Sequence, residues 1–460
     1  MTSPHQYAEQ NHARFLDELK TLIRIPSIST LPRHAADVLR AAEWLADDMR
    51  QVGFETTEII KMPQARHPLV LGTWMGASED APTILIYCHY DVQPARLEDG
   101  WDSDPFEPVE REGKLFARGS TDSKVNVMTQ LKAVESLLAA DGKSPVNIKL
   151  LLEGEEESGS ENIITFVNEH GDRLKADVCV LCDGGIVAPE QPSLIYGLRG
   201  IVTMELRVTG PARDLHSGHY GGNVHNPIQA LAEIVAQLHN ASGTVTIPGF
   251  YDNVTALSQD EREALSGIDP WYEADWKRVA GAPQPWGEAG FSLHERAGIR
   301  PTLEINGIYG GYTEAGFKTV LPARAMAKIS CRLVANQSPD RVFELLRAHI
   351  ARLTPPTVRT ELVRLDEGAP AVLIDRNSKA MQVARLAYEK NWGKPALAEF
   401  VGGSIPIASA LQPLVRDMVF MGYTYKGGQA HGPNEHIILN NFPRGIRTAI
   451  DFLQQLGVRG

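Results

Sequence analysis

Basic charge, cysteine and long apolar runs are all scarce in this sequence, and each shortage removes a class of function. The 45 Lys and Arg are outnumbered by 57 Asp and Glu, for a formal net charge of −12. That balance argues against nucleic acid or an anionic membrane as partner, because both need basic surface. Four cysteines in 460 residues are too few for a disulfide framework and fit a reducing cytoplasm. Cys179-Val-Leu-Cys182 has CxxC spacing but lies in an apolar run. Residues three apart in a strand face opposite sides, so these read as buried strand cysteines and not as a chelate. No apolar run approaches the roughly 20 residues needed to span a bilayer. The opening Met1-Thr-Ser-Pro-His-Gln-Tyr7 lacks a basic region followed by an apolar one, so no secretory signal is expected and a cytoplasmic location is.

What is present is the composition of a soluble globular protein, 43% hydrophobic and 22% charged. The length exceeds one ordinary core, so two domains are expected. Phe15, Leu16, Leu19, Leu22 and Ile23 have helical spacing ahead of Pro26, and a second helix is expected from Asp37 to Val52 with Gly53 as its stop. Three short apolar runs, 83–88, 146–152 and 177–181, read as strands buried on both faces. Helical patterns at 126–139 and 161–169 separate them, which predicts an α/β layer with a mostly parallel sheet flanked by helices. After Gly200 the pattern changes. Ile201 to Val208 alternates like a half-exposed antiparallel strand, followed by a helix from Pro227 to Leu238 and a segment, 249–298, containing Trp, Pro and Gly. A strand (326–334), a helix (340–353) and a strand (358–365) then form a βαβ-like set. The expected division is a catalytic domain from 1–200 and 377–460, interrupted by an inserted α+β domain over 201–376.

Chemistry-bearing residues recur where strands end. His89-Tyr-Asp91 follows the first buried run; residues two apart in extended chain share a face, so the imidazole could bind metal with the carboxylate on its other nitrogen. Alone, the pair is a weak signal and reads more readily as a structural His–Asp hydrogen bond. Asp122 sits in a Gly/Ser turn before a helix, where an N-cap is the plain alternative. Glu153, Glu155, Glu156 and Glu157 crowd together after the second run; Asp183 follows the third, where a turn aspartate is the alternative; His431 lies in a glycine-rich stretch. The combination carries more than any member. Metal-capable groups at the ends of successive parallel strands lie where open α/β sheets place their sites, and two histidines with three carboxylates suit a pair of divalent ions.

The stretches "YCHYDVQP" (87–94), "RGSTDSK" (118–124), "LEGEEESGS" (152–160), "DLHSGHYGG" (214–222), "GGSIP" (402–406) and "AHGPNE" (430–435) together resemble the co-catalytic dinuclear zinc peptidase and deacylase family. That family includes acetylornithine deacetylase, succinyl-diaminopimelate desuccinylase, aminoacylase, glutamate carboxypeptidases and cytosolic nonspecific dipeptidases. The motifs run in family order over nearly the whole chain, and the long insert with "YGLRG" and "DLHSG" looks most like the dipeptidase branch. The resemblance implies two zinc ions per subunit, with manganese or cobalt as alternatives. His89 and Asp183 would bind one ion, Glu157 and His431 the other, and Asp122 would bridge them. Asp91 would orient His89, and Glu156 would be the general base for a metal-bridging water. The insert would be a lid and dimerisation domain, with His216 reaching the partner subunit's site in a homodimer. Arg332 would grip the substrate's C-terminal carboxylate, with Thr319, Gly403 and Ser404 also touching substrate. The implied activity is hydrolysis of dipeptides with a free C-terminal carboxylate; N-acyl amino-acid deacylation or carboxypeptidase action is the alternative. In the acidic run, Glu153 reads as structural and Glu155 has no assigned role. His219 and His225 match no motif of the family.

Two departures stand out. Relatives often read Asp-Asp-Lys-Gly where this chain has Asp122-Ser-Lys-Val125, so the cis peptide usual after the bridging aspartate cannot be assumed. Asp366-Glu-Gly-Ala-Pro370 lacks a histidine that animal dipeptidases place before the glycine.

Overall fold

The apolar runs become a six-stranded sheet in the computed structural model, which describes residues 2–458. Its first five strands are β1 (Thr56–Ile60), β2 (Leu69–Trp74), β3 (Thr83–His89), β4 (Asn147–Glu153) and β5 (Ala176–Leu181), and the last is Val415–Phe420. The spatial order is β1, β2, β4, β3, β5 and then Val415–Phe420. The pairs β4–β3, β3–β5 and β5 with Val415–Phe420 are parallel; β1–β2 and β2–β4 are antiparallel. Helices flank the sheet, which is why Ile84–Cys88, Leu150–Leu152 and Cys179–Leu181 are continuously buried rather than alternating. Gly53, at φ +103°, ends the helix Ala35–Val52 in the left-handed conformation that glycine adopts without strain.

The helix Lys124–Asp141 is buried on every side from Lys124 to Leu137. Its one cluster of charge is internally matched: the ammonium of Lys132 lies 2.6 Å from Glu18, 2.8 Å from Asp48 and 3.0 Å from Glu135. That group of carboxylates therefore already holds its cation.

The chain divides into two compact units, the first comprising residues 1–196, 374–398 and 406–460, the second residues 197–373 and 399–405. The segment 399–405, expected in the first domain, thus groups with the second. The second unit holds a four-stranded sheet of β6 (Gly200–Thr209), β7 (Thr302–Gly310), β8 (Arg324–Leu333) and β9 (Arg359–Arg364), in the order β7, β8, β6, β9. All three neighbouring pairings are antiparallel, and β8 and β9, on either side of β6, therefore run parallel to each other with the helix Pro339–Leu353 between them in the chain, so the expected βαβ-like set is present, split by β6, within an α+β sheet. Met204, Leu206 and Val208 alternate inward, and Leu231, Ile234, Leu346 and Ile350 from helices Pro227–Val235 and Pro339–Leu353 complete the core. Arg332 falls in the opposite phase of β8 from the buried Ile329, Cys331 and Leu333.

Candidate metal centre

Strand ends of the first unit and two turns deliver the candidate ligands. His89 closes β3 and is fully buried; its Nε2 lies 3.1 Å from Asp122 Oδ1 and 4.0 Å from Asp183 Oδ1, just beyond β5. On the other side of Asp122, Oδ2 lies 3.0 Å from His431 Nε2, which is itself 3.1 Å from Glu157 Oε1. The result is two triads, His89–Asp122–Asp183 and Asp122–Glu157–His431, each with ligand atoms within 4.8 Å of one another and sharing Asp122. Glu157 Oε1 is buried without a well-aligned donor, an atom that a cation would satisfy. Two imidazoles and three carboxylates, one of them common to both groups, fit a pair of divalent ions.

Asp91 works on two neighbours. Its Oδ1 is 3.5 Å from His89 Nδ1, while the carboxylate accepts the N–H groups of Glu156 at 3.2 Å and Glu157 at 3.0 Å. The residue expected to orient a histidine therefore also holds the glutamate turn. Glu156 stands beside both triads and belongs to neither. Glu155 turns away, accepting from the N–H of His67 at 2.6 Å and of Asn162 at 3.0 Å, and Glu153 accepts the Tyr87 hydroxyl at 2.6 Å. Both are structural anchors.

The same groups of the site also bind protons. Burial, with the carboxylates of Asp183, Glu157 and Asp91, pushes Glu156 up to about 9, against the pull of His89. Burial also raises Asp183 to about 6, with Asp122 adding and His89 opposing. Hydrogen bonds to Asp122 and Glu157 raise His431 to about 10. For His89, burial works downward but Asp122 and Asp91 outweigh it and hold the pKa well above the usual value. Ions and protons thus compete for one set of groups, so metal affinity should weaken as pH falls. Calorimetric zinc titration near pH ~7, in buffers of differing ionisation enthalpy, is expected to show about one or more protons released per chain. Heats independent of buffer would contradict this.

Two residues in the site were not singled out by sequence. Gln93 donates to Glu157 Oε2 at 2.8 Å, and Glu435 receives the turn that carries Asp122. Both sit inside the quoted motifs, Gln93 in "YCHYDVQP" and Glu435 closing "AHGPNE", which was the available signal. The Asp122–Ser123 peptide is cis.

The remaining expected residues belong to the second unit. His216 is exposed at the start of a short helix, and its Nδ1 accepts the Gly218 N–H at 3.0 Å. Thr319 is exposed, its carbonyl accepting from Ser217. Arg332 Nη1 donates to Ser404 Oγ at 2.9 Å, and Ser404 in turn donates to the carbonyl of Arg199 at 2.6 Å. Gly403 faces open space, a Cβ there meeting only Val401 at 3.8 Å. A cavity of about 440 Å³ is lined by Arg199, Arg332, Trp276, Trp286 and Glu304 among others. Burial lowers the pKa of Arg332 with no acid offsetting it. Burial, and then Arg332, lower Arg199 to about 10, against Glu304.

A mostly parallel sheet carrying two triads of metal-capable side chains that share a carboxylate, in a chain that also holds an antiparallel α+β unit, is the arrangement of a metallopeptidase. The model of peptidase family M20/M25/M40 matches residues 85–455, and the chain belongs to that family. It is 31% identical to the Cys-Gly metallodipeptidase dug1 of Schizosaccharomyces pombe, over 98% of this chain and 97% of that protein. It is 29% identical to the Beta-Ala-His dipeptidase of Rattus norvegicus, over 98% of this chain and 94% of that protein. Among solved structures, the M20 metallo-carboxypeptidase Sso-CP2 from Sulfolobus solfataricus superposes with a TM-score of 0.82 at 30% identity, covering 96% of this chain and 99% of that one. No helix among the described residues is long and apolar enough to cross a membrane.

Proposed function

We propose that the protein hydrolyses dipeptides with a free C-terminal carboxylate, using two divalent ions held by His89, Asp122 and Asp183 and by Asp122, Glu157 and His431. The observation that carries this is the pair of triads sharing Asp122, with the Glu156 carboxyl beside them. The names of the two dipeptidase relatives support the substrate class. Zinc is the ion the resemblance suggests, with manganese or cobalt as alternatives. Bound here, such ions would polarise the scissile carbonyl and acidify a water. Glu156 takes the proton and returns it to the leaving amine. Positive charge nearby would bring its pKa down from about 9 toward neutrality, suiting both halves of that task. Asp91 fixes the backbone of Glu156 and Glu157 while keeping the His89 ring in place.

Arg332, with Ser404 on its guanidinium, is the carboxylate grip, and Thr319 and Gly403 complete the substrate contacts. A half-buried guanidinium with no acid partner among the described residues supports this. Arg332→Ala should lower kcat/KM for a free dipeptide by about 10–100-fold, the worth of a charge-assisted hydrogen bond. The same variant should leave hydrolysis of the C-terminally amidated analogue, already poor, unchanged. An equal loss on both substrates would remove the grip.

His216 has its Nδ1 occupied as acceptor, so a neutral ring carries its proton on Nε2, as an oxyanion donor requires. The exposed edge strand β7, with Ile308 and Tyr309, and the 89% exposed Phe317 support a homodimer through the second unit. Mixed His216→Ala and Glu156→Ala subunits should regain activity at one of the two sites of each heterodimer, the one that keeps Glu156 on the His216→Ala chain and takes His216 from the Glu156→Ala chain; the other site lacks both. Heterodimers that form yet stay inactive would end the partner-subunit role. N-acyl amino-acid deacylation or carboxypeptidase action is the second reading, the latter favoured by the likeness to Sso-CP2. Comparing kcat/KM for dipeptides, N-acetyl and N-succinyl amino acids and longer peptides tests both; dipeptides should lead.

A further inference from the structure

We infer that Glu435 is a positioning residue for the shared ligand Asp122: its carboxylate is a built-in anion around which the Gly119–Asp122 turn is wrapped. Glu435 is fully buried. Its Oε1 accepts the backbone N–H groups of Gly119 at 3.1 Å, Thr121 at 2.7 Å and Asp122 at 2.9 Å. Its Oε2 accepts Arg118 Nη1 at 2.5 Å and shares the Gly119 N–H at 3.1 Å. Backbone N–H groups converging on one oxygen form the kind of concavity that elsewhere captures phosphate. Here the anion belongs to the chain itself, and Arg118, 2% exposed, balances its charge.

The strand His436–Ile438 pairs antiparallel with Lys114–Phe116, and one step further the Ala117 N–H donates to the Glu435 carbonyl at 3.0 Å. That register sets the Glu435 side chain under the turn. Gly119, at φ +84°, lets the backbone double back over it; a Cβ there would lie 2.9 Å from Val92 Cγ1. Thr121 adds a second tie, its hydroxyl donating to the His436 carbonyl at 2.6 Å.

The turn held this way ends in the one carboxylate common to both triads. Metal–oxygen bonds of about 2.0–2.2 Å leave little slack, so an aspartate that must meet two ions at once is the ligand least tolerant of backbone drift. Glu435 also lies four residues after His431 in the same segment. One buried carboxylate therefore ties the loop carrying a second-ion ligand to the turn carrying the bridge. Glu435 belongs to neither triad and its carboxylate is taken up by the turn, so it acts through Asp122.

This inference rests on the two-ion reading, and its test separates the two. Glu435→Gln, Glu435→Asp and, as a control, Lys132→Met in the distant ion cluster would be compared with the parent as full-length, metal-free proteins. Amide hydrogen exchange should speed at least about 10-fold at Gly119, Thr121 and Asp122 in Glu435→Gln, and zinc affinity by chelator competition should fall about 10–100-fold. Glu435→Asp, which keeps the charge, should recover part of both. Lys132→Met should lower the melting temperature and leave both readouts unchanged. If Glu435→Gln does not fold, Glu435→Asp alone decides: parental exchange in the turn and parental zinc affinity would overturn the proposal. So would a Glu435→Gln protein that is merely less heat-stable. A parent that binds fewer than two ions would sink the two-ion reading while the exchange data still decided the role of Glu435.

Discussion

Glu156→Gln is expected to bind both metal ions and lose about 10²–10⁴ in kcat, the range for removing a positioned general base. The glutamine keeps the shape of the side chain and its backbone N–H to Asp91, but it can neither take nor return a proton. Because Glu156 lies outside both triads, the ion count by mass spectrometry should match the parent, whereas Glu157→Gln should weaken one ion. The pH profile adds a second readout. A base works unprotonated, so parental kcat/KM should rise with pH through the Glu156 pKa in the loaded enzyme, and that limb should vanish in Glu156→Gln. Turnover within about tenfold of the parent, with both ions bound, would remove Glu156 from proton transfer.

The contrast between Glu156 and Glu157 also marks how far the amino-acid sequence is legible by itself. The ligands announce themselves because His89, Glu157 and Asp183 follow buried strands while Asp122 and His431 lie in glycine-containing turns, and the parallel core because its strands are continuous apolar runs. Elements without such contrast stay hidden. Thr56–Ile60 is an edge strand with exposed and half-exposed side chains throughout. Leu69–Trp74 is interrupted by Gly72, a glycine kept because Met49 and Phe54 occupy the space of a side chain. In the second unit, β7 carries a bulge between Ile305 and Gly307 that breaks its alternation. The helices Gln259–Ser266 and Asp269–Val279 bury only Leu265 between them, so no apolar stripe marks them. The grouping of 399–405 with the second unit depends on distant packing, such as the Phe400 N–H donating to His294. The role of Glu435 was hidden for a similar reason: its motif marks the residue, but the Gly119 it holds is 316 residues away.

Asp122→Ala is expected to cost both ions, and with them essentially all turnover. Its two oxygens face different histidines, Oδ1 toward His89 at 3.1 Å and Oδ2 toward His431 at 3.0 Å. Without it one half-site keeps His89 and Asp183 and the other Glu157 and His431, two protein ligands each. Catalytic zinc sites use three, so neither half should retain its ion through dialysis. Loss of the ions' charge stabilisation, worth several kcal/mol in such reactions, should cut kcat about 10³-fold or more. A metal-free measurement makes the same point. Asp122 is held well below the usual carboxylate range by hydrogen bonds from His431 and His89, despite burial, and it helps raise His431 to about 10. The sign follows: without the carboxylate the imidazolium loses a partner, so the His431 pKa should drop in an NMR titration of apo Asp122→Ala. His431→Ala is the comparison, since it removes one ligand from one half-site and should spare the ion at His89. An Asp122→Ala protein holding two ions with parental affinity would mean that the triads do not share a bridge.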